Sequence, residues 1–417
     1  MREEAEQRAL LLAMFEAGVA AVQAENCLPR YLPKDRPAGR TALFALGKAA
    51  GHMARVASEH LHIDEALIIT RHGHMPAGWK SPATAIVIEA GHPNPDAASL
   101  VAGEAAIALA NSLGKDDRLI ALVSGGGSAL MAAPVEGISF AEKQEINRAL
   151  LASGAPIADM NRVRAVLSRI KGGRLAGLAH PAEVLTYVMS DVPGDDPAFV
   201  ASGPTCALPD GEDALAILGR YDIAVPAHIA AVLGENRAPI PTGKEPVIFA
   251  SAKDALDAMA KCAAEAGYKP IILGDDLERD APELARDHAK LALEMRDKGR
   301  RVALISGGET SVTVRAPAGV GGRNLTYATA LAIALGGAKN ICALAADSDG
   351  VDGTSNSAGA IVFPSTLSRA ARQGVCAVQS LSDQNSCALF SGLGDSVITG
   401  PTGTNVNDLR VLLIDAA

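Results

Sequence analysis

The chain has 417 residues, of which 48% are hydrophobic but only 3% are aromatic. This length suits two or three domains at about 100 to 200 residues each, and the many small aliphatic side chains favour α/β layers over an aromatic-rich β-sandwich. The formal net charge of −9 argues against a nucleic-acid partner, because a phosphate backbone requires a basic protein face.

The cysteines and the apolar segments also narrow the class of protein. The six cysteines include no C-x-x-C pair, so neither a disulfide framework nor a zinc site is indicated. The charged amino terminus lacks the apolar core of a secretory signal, which predicts a cytoplasmic protein. The most apolar long stretch, 328–346, is interrupted by two glycines and a lysine and falls short of the roughly 20 apolar residues of a membrane span. We therefore predict no membrane association.

Strand-like and helical patterns alternate along the first half of the chain, after an amino-terminal helix and a proline-marked turn. Apolar runs predict strands at 42–46, 67–70, 85–89, 119–123 and 183–189. Helical patterns occur at 48–59, 96–113, 141–153 and 161–179. This alternation is typical of βαβ units, in which helices connect parallel strands.

The strongest break in the chain is 236–246, which contains three prolines and one glycine. We therefore predict a Rossmann-like α/β domain at 1–240 and a second α/β domain at 241–417. The second domain has predicted strands at 247–250, 270–273, 302–305 and 340–345, helices at 253–266, 281–298 and 324–335, and a hairpin at 310–314. A last apolar run at 409–414 fits either sheet. The expected fold class is two α/β domains with largely parallel sheets flanked by helices.

One kind of loop, a short apolar strand followed by serine and glycines, occurs twice. Glycine directly after a buried strand lets backbone N–H groups turn toward an anion. Each loop alone also fits an ordinary tight turn, but the pair predicts two half-sites for one ligand. The first loop comprises Ser124, Gly125, Gly126, Gly127 and Ser128; the second comprises Ser306, Gly307, Gly308 and Glu309.

Three basic residues lie next to glycines or at predicted helix starts. Lys48 follows Gly47 at the end of a predicted strand, where an ammonium and helix N–H groups suit a phosphate or carboxylate. Lys171 stands at the end of the basic stretch 161–171, before two glycines. Arg323 opens an apolar helix, and its guanidinium suits bidentate anion binding. An ordinary surface lysine and a solvated helix face remain alternatives for Lys48 and Lys171.

Acidic loops follow two predicted strands. Asp191 begins one of them and Asp349 lies in the other, and carboxylates at such positions suit Mg²⁺. The second loop does not match an EF-hand, because Val351 occupies a ligand position and no glutamate closes the loop. The histidines at 72, 74 and 92 indicate loop or substrate contacts rather than a metal centre.

These motifs together resemble the glycerate 2-kinase family, whose carboxyl-terminal region is called the MOFRL domain. The resemblance implies an enzyme that transfers the γ-phosphoryl group of ATP to the 2-hydroxyl of D-glycerate with Mg²⁺, giving 2-phosphoglycerate and ADP. It extends over almost the whole chain. The matching segments are 47–49, 89–96, 124–130, 161–176, 190–195, 202–205, 306–309, 321–324, 349–353 and 403–408.

The resemblance also implies roles for individual residues. Lys48 and Arg323 correspond to the family's active-site lysine and arginine, contributed by different domains, so the active site is expected in the cleft between them. Two cations from opposite walls suit phosphoryl transfer, which depends on positioning and charge stabilisation. Asp191 and Asp349 are candidates for Mg²⁺ ligation or for orienting the attacking hydroxyl. The expected substrate- and phosphate-binding residues are the two serine–glycine loops, Lys171 and Asn324.

Two other functions compete with this one. Family members have often been named hydroxypyruvate reductases, but an NAD(P)H-dependent reductase predicts a dinucleotide-binding fingerprint that neither glycine loop matches. A non-catalytic binder of a small carboxylate would be compatible with a hinge at 236–246, although it would not require Lys48, Arg323 and both aspartate loops. A homodimer is left open, as is the domain that binds adenine.

Overall fold

The computed structural model describes residues 2–209, 211–235, 243–313 and 319–416. The chain divides into two compact units: a central unit, Cys27–Phe249, and a terminal unit that combines Met1–Asn26 with Ala250–Ala417. The boundary predicted between residues 240 and 241 lies outside the described residues. The first helix, α1 (Arg2–Val22), is followed by the short helix α2 (Ala24–Cys27). Helix α1 belongs to the terminal unit, whereas the predicted division assigned it to the amino-terminal domain.

The central unit is built on a six-stranded sheet. Its strands are β1 (Thr41–Leu46), β2 (Glu65–Arg71), β3 (Ala85–Ala90), β4 (Arg118–Val123), β5 (Glu183–Met189) and β6 (Val247–Ala250), in the order β3-β2-β1-β4-β5-β6. The pairs β1–β2, β1–β4, β2–β3 and β4–β5 are parallel. All positions of β1 and β4 are buried, as expected for parallel strands covered on both faces.

Strand β6 was predicted to begin the second domain, and that prediction is wrong because β6 joins the first sheet beside β5. The segment before it is attached to β5 in two ways: the Lys244 N–H donates to the Val184 carbonyl at 3.3 Å, and the Lys244 ammonium pairs with Glu183 at 2.5 Å. A four-residue apolar run gives no indication of which sheet it will join, because pairing partners are set by tertiary packing.

Helices surround this sheet and also form a second layer of their own. The helices of the central unit are α3 (Ala50–His60), α4 (Ala97–Asn111), α5 (Gly127–Leu130), α6 (Phe140–Ala152), α7 (Ile157–Val166), α8 (Arg174–Ala179), α9 (Ala214–Arg220) and α10 (Ala227–Glu235). One core packs the sheet against α4 and α8, through Phe44, Leu109 and Leu175 among others. A separate helical core joins α6, α7, α9 and α10 and includes Leu150 and Val163.

The helix predicted over 161–179 is two helices, α7 and α8, separated by a turn. Gly172 and Gly173 adopt φ values of 62° and 82°, in the left-handed region that glycine tolerates at little cost. Their N–H groups donate to the carbonyls of Ser202 and Gly203, at 3.0 and 2.7 Å. Lys171 therefore lies in a turn that is fixed against the segment after β5, and not on a solvated helix face.

The terminal unit contains a second six-stranded sheet. Its strands are β7 (Lys269–Gly274), β8 (Val302–Ser306), β9 (Ile341–Asp347), β10 (Gly359–Val362), β11 (Ser396–Val397) and β12 (Asp408–Ile414), in the order β11-β10-β9-β12-β8-β7. Only β7–β8 is a parallel pair, whereas β12 is antiparallel to both β8 and β9, and β10 is antiparallel to β9 and β11. Four of the six strands still run in one direction, so this sheet is mixed and less parallel than predicted. The last apolar run belongs to this sheet.

The reversed strand β12 matters for the position of polar side chains. Because it runs against β8 and β9, it begins at the edge of the sheet where those two strands end. Its register places Asp408 opposite Asp347 and Arg410 opposite Ser306.

The helices of the terminal unit pack around this sheet. They are α11 (Ala252–Glu265), α12 (Ala281–Asp297), α13 (Arg323–Leu335), α14 (Thr366–Arg372), α15 (Ala377–Ser382) and α16 (Ser386–Leu393). Helix α1 joins them because it packs closely on α11. A Cβ atom at Gly18 would lie 3.0 Å from the Met259 side chain. The predicted hairpin at 310–314 extends beyond the described residues. Within them, Ser311 forms only an isolated bridge with Asp280.

Candidate active site

The predicted site residues fall into two sets, one in each unit. In the central unit, the ends of β1 and β4 are joined by hydrogen bonds around Lys48. The Lys48 N–H donates to the Gly125 carbonyl at 2.9 Å, and the Ala49 N–H donates to Ser124 Oγ at 3.2 Å. A Cβ atom at Gly47 would lie only 2.2 Å from Ser124 Oγ, so only glycine permits this approach. Helix α3 starts at Ala50, two residues later than predicted, so Lys48 lies in the preceding turn.

Gly126 brings two further side chains to the same loop. Its φ is 82°, and a Cβ atom there would lie 3.1 Å from Lys48 Cγ and 3.2 Å from His92 Cδ2. The aliphatic stem of Lys48 and the His92 ring therefore both pass alongside the loop backbone. The sequence predicted Lys48 and the loop separately, and the structure places them in direct contact.

Lys171 contacts the far end of this loop. Its ammonium donates to the Ser128 carbonyl at 3.0 Å and to Ser202 Oγ at 3.5 Å. The hydroxyls of Ser128 and Ser202 lie 2.6 Å apart, and Ser202 donates to Asn161 Oδ1 at 3.2 Å. Burial, together with Lys143 and Arg164, lowers the pKa of Lys171 well below its usual value. Lys48, the glycine loop and Lys171 thus form one continuous surface.

A cavity of about 430 Å³ opens beside this surface, within the central unit. Its walls include His92, Gly126, Ser128, Arg164 and Lys171. This volume is in the range of small-molecule sites, about 300 to 1,000 Å³. The cavity is therefore large enough for a substrate or for part of a nucleotide.

Asp191 lies at the same edge of the first sheet, two residues after β5 ends. The hydroxyl of the preceding Ser190 is buried and accepts the Val192 N–H at 3.4 Å. Since β5 is the parallel neighbour of β4, Asp191 and the Ser124 loop both follow the carboxyl ends of adjacent strands, where ligands of open α/β sheets bind.

In the terminal unit, Arg323 is surrounded by carboxylates. Its Nε donates to Asp408 at 2.8 Å, one terminal nitrogen donates to Asp347 at 2.8 Å, and the other contacts Glu309. Although burial disfavours its charge, Asp408, Asp347 and Glu309 raise the pKa of Arg323 well above the usual arginine value. Two residues that were predicted separately, Glu309 and Arg323, are thus in direct contact.

Asp408 is the centre of this network, and it was not among the predicted site residues. It accepts Arg323 at 2.8 Å, Arg410 at 2.5 Å and Asn324 Nδ2 at 2.6 Å. Burial alone would raise the pKa of Asp408, but the two arginines hold it below the usual aspartate value. Asp408 occurs in the matching segment 403–408, and that was its only signal in the sequence.

The second glycine loop differs from the first in how its backbone is used. The Gly307 N–H donates to the Gly274 carbonyl at 2.8 Å. The carbonyls of Gly307 and Gly308 accept the fully buried guanidinium of Arg410 at 2.7 and 3.1 Å. These groups hold Arg410 in place, so the Gly307 N–H does not point toward an anion as the sequence suggested.

The Asp352 side chain binds the amino-terminal end of α13. Its carboxylate accepts the N–H groups of Asn324 at 3.0 Å and Leu325 at 2.8 Å. Burial raises the pKa of Asp352 to about 6. This carboxylate satisfies free N–H groups at the helix terminus, and thereby holds Asn324 and Arg323 in position.

Asp349 lies just beyond β9 and is buried, with an exposed fraction of 2%. Its N–H donates to Asp347 Oδ1 at 3.0 Å, and its carboxylate accepts the Val351 N–H at 2.8 Å. Asp191 and Asp349 belong to different units. Among the described residues, no group of three or more His, Cys, Asp and Glu side chains is arranged to hold a metal ion.

Two further expectations concern cysteines and membranes. None of the six cysteines forms a disulfide within the described residues. No helix within the described ranges combines the length and the apolar character that crossing a membrane would require.

Comparison with known proteins shows which proteins this chain is similar to. Residues 10–234 match the family model of a domain of unknown function, DUF4147, and residues 302–408 match that of the MOFRL family. A protein of Agrobacterium vitis with the provisional name hydroxypyruvate reductase is 43% identical over 98% of this chain and 94% of its own. A D-glycerate 2-kinase of Thermotoga maritima is 36% identical over 97% and 98%. The crystal structure of a glycerate kinase from Thermotoga maritima has a TM-score of 0.85 at 35% identity, covering 98% of this chain and 99% of that one.

Proposed function

This chain belongs to the glycerate kinase family that carries the MOFRL region, and from that premise we propose that it phosphorylates the 2-hydroxyl of D-glycerate with ATP. The products are 2-phosphoglycerate and ADP. The observation that carries this proposal is the placement of Lys48 and Arg323 at the strand ends of the two sheets, each held by its own network. We place the reaction in the cytoplasm, where ATP is supplied.

The chemistry requires positioning and charge stabilisation more than covalent help from the protein. The hydroxyl oxygen of glycerate attacks the γ-phosphorus, the bond to the β,γ-bridging oxygen breaks, and ADP leaves with that electron pair. Lys48 and Arg323 neutralise the charge on the transferred phosphoryl oxygens. The hydroxyl proton passes to a carboxylate, and Asp191 is our candidate for this role.

The residues present fit a magnesium ion carried by the nucleotide. Mg²⁺ prefers oxygen ligands and usually takes one or two carboxylates together with substrate phosphates and water. Asp349 supplies a carboxylate of this kind at a strand end, and Mg²⁺ ligation is the alternative role for Asp191. When bound, Mg²⁺ would offset the negative charge of the β- and γ-phosphates.

The remaining predicted residues have supporting roles in this proposal. The Ser124–Ser128 loop and Lys171 bind phosphate or carboxylate oxygens in the central unit. Ser306, Gly307, Gly308, Glu309 and Asn324 shape the wall around Arg323 in the terminal unit.

The test is to incubate the purified protein with Mg-ATP and D-glycerate and to resolve the products by ³¹P NMR. A 2-phosphoglycerate signal is expected. The 3-phospho isomer would contradict the regiochemistry. Consumption of NADH with hydroxypyruvate, in the absence of any phosphorylated product, would contradict the kinase and favour the reductase named among the relatives.

A further inference from the structure

The cavity of the central unit has an unusual charge distribution. Arg148, Arg164 and Lys171 line it, and no carboxylate does so within the described residues. Lys143 lies close to the cavity, because its neighbours on α6, Gln144 and Asn147, line it. The charge of Lys143 also acts on Lys171. We call the cavity with Lys143, Arg164 and Lys171 the cation pocket.

Lys143 shows that this positive charge is not balanced inside the protein. Its side chain is 3% exposed, and its ammonium has no hydrogen-bond partner in the described part of the chain. The adjacent acid, Glu142, instead contacts Ser139 at 2.7 Å and His228 at 2.8 Å. A buried charge without a partner is costly, and such a charge beside the cations that line a cavity indicates a site for a ligand of opposite charge.

The pKa values of the cluster agree with this geometry. Burial and the nearby Arg164 lower the pKa of Lys143 to about 8, and burial also lowers the pKa of Arg164. A bound anion would reverse these shifts, since opposite charge favours the protonated form.

The number of positive charges distinguishes between the two anionic substrates of the proposed reaction. Glycerate carries one carboxylate, which would leave most of the cation pocket uncompensated. A polyphosphate chain carries several negative charges and an oxygen on every phosphorus for the Ser128 hydroxyl and the neighbouring cations. The pocket also extends to Gly126, which lies against the stem of Lys48.

We propose that the cation pocket binds the polyphosphate chain of the nucleotide, with its terminal phosphate at the Gly126 wall next to Lys48. This assignment rests on the proposed kinase function and specifies which unit holds the phosphoryl donor.

The first experiment measures binding without catalysis. Sodium tripolyphosphate is titrated into the full-length protein by isothermal calorimetry at pH 8, in two buffers of different ionisation enthalpy. We expect binding with uptake of protons, because the lysines with lowered pKa become charged. Arg164→Met should weaken binding by about tenfold or more, since a lost charge-assisted contact is worth about 1.5–3 kcal/mol. Lys143→Met should also weaken it and reduce the proton uptake.

The matched control is Lys115→Met, which removes the same charge from an exposed position of the same unit and should bind like the wild type. Circular dichroism confirms that each variant is folded. Steady-state kinetics then separate the substrates: the KM for ATP should rise in Arg164→Met, while the KM for D-glycerate changes little.

The outcomes separate the two proposals. Wild-type affinity for tripolyphosphate in both pocket variants, or a rise in the KM for glycerate alone, would overturn the cation-pocket assignment and leave the kinase intact. Tripolyphosphate binding that the pocket variants lose, in a protein that makes no phosphoglycerate, would uphold the pocket and overturn the kinase.

Discussion

The two sets of functional side chains balance their charge in opposite ways. In the terminal unit, Arg323 and Arg410 are paired with carboxylates, and Asp408 alone accepts from both. In the central unit, Lys143, Arg164 and Lys171 have no ion-pair partner within the described residues. Internal pairing fixes a side chain before any substrate arrives, whereas unpaired charge is neutralised only by a ligand. The comparison shows a set of side chains whose charge is neutralised internally in one unit, and in the other a pocket for which we propose an anionic ligand.

Removing Arg323 should have the largest effect, because it disrupts the paired set. Arg323→Ala is expected to lower kcat by about 10³-fold or more, as for other arginines that stabilise phosphoryl transfer. It should also lower the free energy of unfolding by about 3–5 kcal/mol, because it removes an ion-pair partner from the buried carboxylates of Asp347 and Asp408. Steady-state assays and urea unfolding measure the two effects. A free energy of unfolding equal to that of the wild type would contradict the claim that ion pairs of Arg323 stabilise the terminal unit.

Lys48→Ala should reduce kcat by about 10²- to 10³-fold, the range for a lost electrostatic donor, with a much smaller effect on stability. Lys48 is partly exposed, and the hydrogen bond that joins β1 to β4 uses its backbone. The readout is kcat together with the thermal midpoint. Turnover at the wild-type rate would remove Lys48 from the proposed mechanism.

Lys143→Met should stabilise the ligand-free protein. The folded-state pKa of Lys143 is lowered from 10.5 to about 8, so the unfolded state binds more protons between these values and wild-type stability rises with pH across that window. The variant should therefore gain on the order of 3 kcal/mol below pH 8, and this gain should disappear as the pH rises toward 10.5. Urea unfolding of both proteins from pH 7 to 10 tests this. A constant difference would show that Lys143 is not held in an unfavourable charged state.

Glu309→Gln should have the smallest effect on stability. Glu309 is the exposed partner of Arg323, with 49% of its side chain accessible, and exposed pairs contribute about 0–1 kcal/mol. A loss of several kcal/mol in urea unfolding would mean that the network depends on its outer carboxylate. That outcome would contradict the view that the buried carboxylates alone hold Arg323 in the terminal unit.

Local chemistry in the sequence predicted much of the central set. Glycines after a buried strand indicated the Ser124 loop, and a lysine after β1 indicated Lys48, because each signal is contained within a few consecutive residues. Lys143 gave no signal, since one lysine on an amphipathic helix resembles a solvated position. Its burial results from the packing of α6 on α7, which sequence periodicity does not determine.

The terminal set was less predictable because its partners are distant in the chain. Arg323 and Asp408 are separated by 85 residues, and their contact depends on the reversed direction of β12. An apolar run shows that a strand exists but not which neighbours it joins or in which direction. The same limit explains the misplaced β6 and the mixed character of the second sheet.

The position of β12 also determines when the strands of the second sheet can pair during synthesis. This strand lies between β8 and β9 and is buried at all seven positions, yet it follows the other described strands of its sheet in the chain. The second sheet therefore stays divided during synthesis, while the whole central unit has already emerged. Asp408 and Arg410 reach their partners only when β12 inserts between β8 and β9, so the carboxylate network around Arg323 is completed only after β12 has been synthesised.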